Sequence, residues 1–165
     1  MSAPLISIIM PTYNVSRYIE RSINSCLLQQ FDDYEIIVVD DCGSDNSVLL
    51  VERLAKQNQR IKIIKHKKNL GTFHARKTGV MVANGSFILF LDPDDELEKD
   101  ALSKINEALS HNINLDVLLF SSRYVPKHRF YQYKPSVPVG LFNNNIASNI
   151  LRHKKQSGNE ITTLN

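Results

Sequence analysis

The residues with the clearest chemical potential are the three carboxylates of the segment Leu91-Asp92-Pro93-Asp94-Asp95. They follow an apolar run, residues 87–91, whose length predicts a buried strand. Pro93 lacks an amide hydrogen and should end that strand, so the acids are expected at its carboxyl end. Hard oxygen ligands at such a position suit Mg²⁺ or Mn²⁺, ions that usually also hold substrate phosphates. The alternative is a solvated acidic turn that caps a helix beginning near Glu98.

Two other polar groups follow predicted strands. Pro11-Thr12-Tyr13-Asn14 comes after an apolar strand at 5–10, and Asp40-Asp41 ends a second strand at 35–39. The carboxyl ends of parallel strands share one edge of an open α/β sheet, which is where ligands bind. A carboxylate there can accept the imide N–H of a uracil or the N1–H and N2–H₂ of a guanine, and an aromatic ring can stack on the base. Each group could instead have a purely structural role, Asp40-Asp41 as a helix cap and Tyr13 as a partly buried aromatic. The prediction of a nucleotide pocket therefore depends on these groups meeting at the same edge of the sheet.

Strands and helices alternate along most of the chain. Helices are predicted at about 16–29, from 47 onward, at 69–82 and at 98–109, and strands also at 61–64 and 115–120. Strands alternating with helices of this length predict an α/β fold with a mainly parallel, doubly wound sheet flanked by helices. Beyond residue 122 the pattern weakens, and a short helix is expected near 145–152.

Length and composition indicate one ordinary globular domain. The chain has 165 residues, of which 42% are hydrophobic and 22% charged. No apolar stretch approaches the roughly 20 residues that cross a bilayer. Cys26 and Cys42 match no metal or redox spacing, so we expect a reduced, cytoplasmic location. His66 and His74 lack partner spacing and are expected on the surface rather than at a metal.

The net charge of +3 is unevenly distributed. From residue 121 onward there are seven basic residues and one acid, 7 − 1 = +6, which leaves −3 for residues 1–120. The basic segment 123–155 could make a peripheral contact with lipid phosphates at the inner face of a membrane, or could be a solvated or partner-facing surface. No aromatic-rich RNA motif or zinc spacing accompanies it, which argues against nucleic acid as a partner.

The motifs together carry a family resemblance. Ile8-Ile9-Met10-Pro11-Thr12-Tyr13-Asn14, Val38-Val39-Asp40-Asp41, Asp45, Asn69-x-Gly71, Ala75-Arg76 and Leu91-Asp92-x-Asp94-Asp95 occur in this order. The set resembles the family 2 glycosyltransferases of the GT-A, Rossmann-like fold, which transfer sugars from nucleotide-diphosphate donors with inversion. The resemblance covers about residues 4–122. It departs from the family at Cys42-Gly43, where Gly followed by Ser or Thr is common, and at Lys77, where Asn is frequent.

The resemblance implies roles for the motif residues. Those expected to line the uracil site are Pro11, Thr12, Tyr13 and Asp41. Arg76 is expected to face the base, Asp92 to reach the ribose, and Asp94 to ligate the Mn²⁺ or Mg²⁺ that bridges the diphosphate. Asp40 and Asp45 are expected to act as supporting carboxylates.

The resemblance also divides the chain, into a donor-binding core at 1–122 and the start of an acceptor-side region at 123–165. The metal would neutralise the departing diphosphate, and a general base must deprotonate the hydroxyl of a carbohydrate or glycolipid acceptor. In the family this base is an acid well beyond the metal motif, and Glu160 does not resemble it in context. The base is therefore expected beyond Asn165, and the fold is expected to be incomplete at its C-terminus.

Two other functions are alternatives to a glycosyltransferase. A nucleotidyltransferase or dehydrogenase is disfavoured because Pro11-Thr12-Tyr13-Asn14 stands where a glycine-rich turn would bind a pyrophosphate, and no P-loop pattern occurs. A non-catalytic nucleotide-sugar-binding or assembly module stays open because the expected acceptor half is not in this sequence.

Overall fold

The computed structural model describes residues 3–112, 115–118 and 150–152, the last three by their backbone alone. In chain order its elements are β1 Ile6–Thr12, α1 Ile19–Leu27, β2 Tyr34–Asp40, α2 Ser47–Gln57, β3 Ile61–Lys65, α3 Thr72–Val82, β4 Phe87–Phe90, α4 Ala101–His111, β5 Val117–Leu118 and β6 Ile150–Arg152. They form one sheet with the strand order β3-β2-β1-β4-β6-β5. Strands β1 to β4 are parallel, and β6 runs antiparallel to both β4 and β5. The predicted mainly parallel α/β sheet is confirmed.

The sheet is covered by helices on both faces. On one face, α1, α2 and α4 pack over a large core that includes Ile8, Ile23 and Leu102. On the other face, α3 covers a smaller core that includes Ile9 and Ile37. All seven residues of β1 and of β2 are buried, which explains why both strands appear in the sequence as near-continuous apolar runs.

Strand β1 is longer than predicted, because Pro11 and Thr12 continue it instead of ending it. The Ile9 carbonyl accepts from Leu91, so Ile9 and Pro11 direct their main-chain groups toward β4. Strand β4 ends at Phe90, opposite Ile9, and the amide hydrogen that Pro11 lacks would fall beyond that end. Pro11 therefore costs no ladder hydrogen bond, and β1 reaches as far as β2 does.

Helix α3 lies unusually close to the sheet. A Cβ added at Gly79 would stand 2.4 Å from Cγ2 of Ile9, so only glycine fits at this contact. Ala75 and Ala83 lie one turn on either side and are also buried. This row of small residues sets the depth of α3 and with it the position of the helix's first turn at the edge of the sheet.

A buried carboxylate holds the turn from which β4 starts. Glu35 accepts from the Ser7 hydroxyl at 2.7 Å, the Lys62 ammonium at 2.6 Å and the Asn84 backbone N–H at 2.7 Å. Burial acts to raise the pKa of Glu35, but these donors outweigh it and hold that pKa below its usual value. The Asn84-Gly85 turn is thereby fixed against β1, which fixes the start of the strand that carries the acidic motif.

One prediction for the C-terminal part is wrong. The helix expected near 145–152 is not formed at its end, because Ile150–Arg152 pair with β4 and β5 as the strand β6. Residues 145–149 and most of the basic segment 123–155 lie outside the described residues. Among the helices that the structure describes, none is long and apolar enough to span a bilayer.

Candidate functional site

The three predicted polar groups meet at one edge of the sheet. Thr12 pairs with Asp40 at the ends of β1 and β2, and the Asp41 amide donates to the Thr12 carbonyl at 2.8 Å. The Leu91 amide donates to the Ile9 carbonyl at 3.0 Å, which sets the acidic motif beside the end of β1. The parallel register thus brings together three segments that are far apart in the sequence.

Polar side chains lock the loops that leave β1 and β2. Asn14 adopts the left-handed conformation, with φ of 53°, and its side-chain oxygen accepts from the Ser44 and Asp45 amides at 2.7 and 3.2 Å. Asp40 accepts from the Gly43 amide at 3.1 Å. Cys42 is also left-handed, with φ of 63°, a conformation that suits glycine far better than a residue with a side chain. This explains why a glycine is common there in the family that the chain resembles.

Asp45 ties the β1 loop to the start of α2. It accepts from the Ser16 amide at 2.8 Å and from the Ser47 amide at 2.9 Å, and also from the Ser47 hydroxyl. Partial burial acts to raise its pKa, but these donors outweigh it and lower the pKa of Asp45 to about 2. Asp40 and Asp45 therefore both support loop backbone at this edge.

Asp41 is a buried acid at this edge that accepts three hydrogen bonds. Its side chain is buried, and its carboxylate accepts from the Leu70 amide at 2.9 Å, the Gly71 amide at 2.7 Å and His66 Nδ1 at 2.7 Å. Gly71 has φ of 85°, which turns the backbone amides toward Asp41 just before α3 begins. Burial acts to raise the pKa of Asp41, but the three donors hold it below its usual value. The acid is therefore an anion at neutral pH.

The prediction that His66 lies on the surface is wrong. Its side chain is only 9% exposed and bridges Asp41 to the Thr78 hydroxyl, which lies 2.9 Å from Nε2. In the neutral ring, Nδ1 must carry the proton that Asp41 accepts, so Nε2 accepts from Thr78. The sequence did offer a signal, because His66 directly follows β3, the strand beside β2, and a buried Asp41 needs a donor. His74 is exposed, as predicted.

Arg76 and Asp92 form a pair on the other side of the β1 end. Arg76 donates to Asp92 at 2.7 Å, and its guanidinium carbon lies 5.4 Å from the centre of the Phe90 ring. Both side chains remain partly open to solvent, at 39% and 47% exposed. The Nε of Arg76 is buried and has no hydrogen-bond partner within the described part of the chain. The pair is held in place yet retains donor and acceptor capacity for a ligand.

The acidic motif forms a tight turn with surplus negative charge. The Asp95 amide donates to the Asp92 carbonyl at 3.0 Å. Burial raises the pKa of Asp95, and the charges of Asp94 and Asp92 raise it further. Asp94 itself is exposed. Over residues 3–112 and 115–118, no group of three or more acidic, histidine or cysteine side chains is placed to enclose a metal ion.

The predicted site residues are thus close in space but differ in accessibility. Pro11 and Thr12 are buried within β1, whereas Tyr13, directly after it, is 49% exposed and leaves its ring available. Contacts of these residues, and of Asp41, Arg76, Asp92 and Asp94, with a nucleotide or a metal stay predictions.

Comparison with known proteins gives a family match. The family model described as "Glycosyl transferase family 2" matches residues 7–161. An uncharacterized glycosyltransferase of Haemophilus influenzae is 39% identical over 104 residues, 63% of this chain and 42% of the relative. The GalNAc(5)-diNAcBac-PP-undecaprenol beta-1,3-glucosyltransferase of Campylobacter jejuni is 40% identical over 113 residues, 66% of this chain and 37% of the relative. The chain spans well under half the length of either relative.

Solved structures agree in fold. Residues 1–349 of TarS from S. aureus superpose with a TM-score of 0.71 at 28% identity, over 90% of this chain and 47% of that one. The same protein in complex with UDP gives a TM-score of 0.69 over 78% of this chain and 38% of that one. A mannosyltransferase from Pyrobaculum calidifontis, solved with GDP-Man and Mn²⁺, gives 0.66 at 22% identity, over 75% of this chain and 37% of that one, and shows the fold alone. On its family match, its motifs and its GT-A architecture, the chain belongs to glycosyl transferase family 2.

Proposed function

We propose that this chain binds a uridine diphosphate sugar and takes part in transferring the sugar, with inversion and with help from a divalent metal, to a hydroxyl of a carbohydrate or glycolipid acceptor. The observation that carries this proposal is the buried Asp41 anion, which is held by His66 and by the amides that precede α3. Structures of TarS, a structural neighbour of this chain, contain UDP and UDP-GlcNAc, which supports a uridine donor here.

The hydrogen bonds of Asp41 favour uracil over guanine. A carboxylate offers about four acceptor positions, and three donors already occupy Asp41. Uracil presents one imide N–H, which fits the position left over. Guanine presents two adjacent donors, N1–H and N2–H₂, so one of them would be buried without a partner at a cost of about 1–3 kcal/mol. We therefore propose uracil rather than guanine as the base that Asp41 contacts.

The neighbouring side chains suit the rest of a nucleoside. The half-exposed ring of Tyr13 offers a face on which a base can stack. The solvent-exposed part of the Arg76 guanidinium can donate to a base carbonyl, since the group is already oriented by its contact with Asp92. The Asp92 carboxylate has acceptor capacity left for ribose hydroxyls. Pro11 and Thr12 would form the wall beneath the base.

The acidic motif fits a divalent cation that a substrate helps to hold. Partial burial raises the pKa of Asp95, and the negative charges of Asp94 and Asp92 beside it raise that pKa further. Because no described group of three ligands encloses a metal, Asp94 would supply one ligand, and the donor diphosphate and water the others, which is the usual way of binding Mg²⁺ or Mn²⁺. When bound, the cation would neutralise charge developing on the departing diphosphate. Asp92, two residues before Asp94, would keep the ribose fixed as the bond to the sugar breaks.

We assign residues 1–122 to donor binding and 123–165 to the beginning of an acceptor-side region. Inversion requires a general base on the face of the sugar opposite the diphosphate. Four acids at this edge are already engaged and are not proposed as the base: Asp40, Asp41 and Asp45 hold backbone groups, and Asp92 pairs with Arg76.

Donor turnover tests the proposal. The chain is incubated with Mn²⁺ and UDP-GlcNAc, UDP-glucose, GDP-mannose or no donor, and free sugar and glycosylated product are scored separately. We expect slow hydrolysis of a UDP-sugar and no robust transfer to a carbohydrate acceptor, since loss of a base costs about 10²–10⁴-fold in rate. Robust glycosylation by the 165-residue chain would place the base within it and make Glu160 the first residue to substitute. Tight UDP binding without any turnover would favour a non-catalytic binding module.

A further inference from the structure

Helix α3 has its small residues inside and its large apolar residues outside. Ala75, Gly79 and Ala83 face the sheet. Phe73 and Met81, two turns apart on the opposite side, are 69% and 59% exposed. Leu70, just before the helix, is 40% exposed. An outward apolar stripe of this kind does not contribute to the core. Exposed apolar patches often mark sites that bind another protein or a membrane.

The charged side chains around α3 in the sequence are all basic. Residues 61–91 contain six lysine and arginine residues and no acid. Three of the six pair with acids of other elements, namely Lys62, Lys65 and Arg76. For the other three the described residues provide no ion-pair partner, and all are exposed: Lys67, Lys68 and Lys77. Lys77 lies within the stripe, between Phe73 and Met81, and the other two precede Leu70.

We propose that these side chains form a docking surface for an anionic lipid membrane, here named the α3 surface: Lys67, Lys68, Leu70, Phe73, Lys77 and Met81. The apolar side chains would enter the boundary between headgroups and acyl chains, while the lysine stems lie along it and their ammonium groups stay among lipid phosphates. All three free cations are lysines, which are flexible point charges. They suit the diffuse field of a lipid surface better than the fixed pairing geometry that arginine gives with protein carboxylates.

The α3 surface includes no residue of the basic segment 123–155 and does not depend on the proposed donor site. It does adjoin that site, because the Leu70 and Gly71 amides that open α3 bind Asp41. Docking through α3 would therefore hold the edge of the sheet close to the lipid surface, where an acceptor carried on a lipid would be within reach.

Vesicle co-sedimentation of the 165-residue chain tests the proposal. Vesicles of phosphatidylcholine alone are compared with vesicles that also contain phosphatidylglycerol, at low and high salt. We expect binding only to the anionic vesicles, weakened by salt. The triple variant Lys67→Gln/Lys68→Gln/Lys77→Gln should bind about a hundredfold more weakly, at about fivefold for each lysine. The double variant Phe73→Gln/Met81→Gln should lose at least about tenfold, since it removes the inserted groups but no charge.

The matched control is the double variant Leu28→Gln/Leu49→Gln, which removes two equally exposed leucines from the opposite face of the sheet and should bind like the parent chain. Circular dichroism and UDP affinity of each variant show whether the fold and the donor site are intact. The proposal would be overturned if the parent chain did not bind anionic vesicles. It would also be overturned if both α3 variants bound those vesicles as tightly as the parent chain does. A dimer of the parent chain that the Phe73→Gln/Met81→Gln variant dissociates would overturn it too, because the surface would then join two copies of the chain.

Discussion

Replacing His66 is the sharpest test of how Asp41, the acid that we propose binds the base, is held. His66→Ala removes the 2.7 Å hydrogen bond to Asp41 and the 2.9 Å hydrogen bond to Thr78. A hydrogen bond to a charged group contributes about 1.5–3 kcal/mol and a neutral one about 0.5–1.5 kcal/mol. The free energy of unfolding should therefore fall by about 2–4 kcal/mol. UDP affinity should fall roughly tenfold, which is about 1.4 kcal/mol, because only the Leu70 and Gly71 amides still orient the carboxylate.

The conservative variant His66→Asn separates orientation from general packing. The asparagine amide nitrogen stands near the position of Nδ1, so it can still donate to Asp41 while the contact with Thr78 is lost. We expect it to recover most of the UDP affinity and to lose only about 0.5–1.5 kcal/mol of stability. His111→Ala, at an exposed histidine on α4, is the matched control and should leave UDP affinity unchanged.

Urea unfolding and calorimetric titration with UDP measure the two effects. If His66→Ala bound UDP as tightly as the parent chain, or if His66→Asn were as impaired as His66→Ala, the reasoning that His66 positions Asp41 would be refuted.

Four further predictions concern single residues. Asp94→Asn should abolish the Mn²⁺ dependence of UDP binding in calorimetry while the circular dichroism stays unchanged, since it removes a hard anionic ligand. Gly79→Ala should lower the free energy of urea unfolding by about 1–3 kcal/mol, because its Cβ would stand 2.4 Å from Ile9. Cys42→Gly should raise that free energy by up to about 1 kcal/mol, because it relieves a left-handed cysteine at φ of 63°. Asp45 has a folded pKa of about 2, below its usual 3.8, so the stability it contributes is present above about pH 4 and lost as the pH falls toward 2; Asp45→Asn should flatten the decline in unfolding free energy over that window.

Periodicity and turn chemistry were sufficient to predict the parallel part of the fold. Strands β1 and β2 are buried on both faces, so their apolar runs stand out in the sequence, and helices between them leave little choice but parallel pairing. The convergence of Asp41 and Asp92 on one edge follows from that topology. Their positions, though not their ligand contacts, could therefore be predicted from the sequence.

The remaining features depend on contacts between distant residues. Pro11 continues β1 because β4 stops at Phe90. The sequence around Pro11 does not indicate where the neighbouring strand β4 ends. The His66 side chain is largely covered because β3 lies beside β2, which brings its ring to Asp41. Strand β6 has only three residues and pairs with β4 across a long separation in sequence, so its local pattern could not distinguish it from a helix. In each case the deciding partner is known only once the sheet order is known.

Calorimetric binding of UDP in the presence of Mn²⁺ to the parent chain and to Asp41→Asn tests the central claim most directly. The substitution keeps the shape of the side chain but replaces an acceptor oxygen with a donor, and circular dichroism verifies the fold. We predict that the parent chain prefers UDP over GDP, CDP and ADP, and that Asp41→Asn loses one to two decades of UDP affinity, about 1–3 kcal/mol, together with that preference. Equal binding of all four nucleotides by the parent chain, or unchanged UDP affinity in Asp41→Asn, would contradict the account.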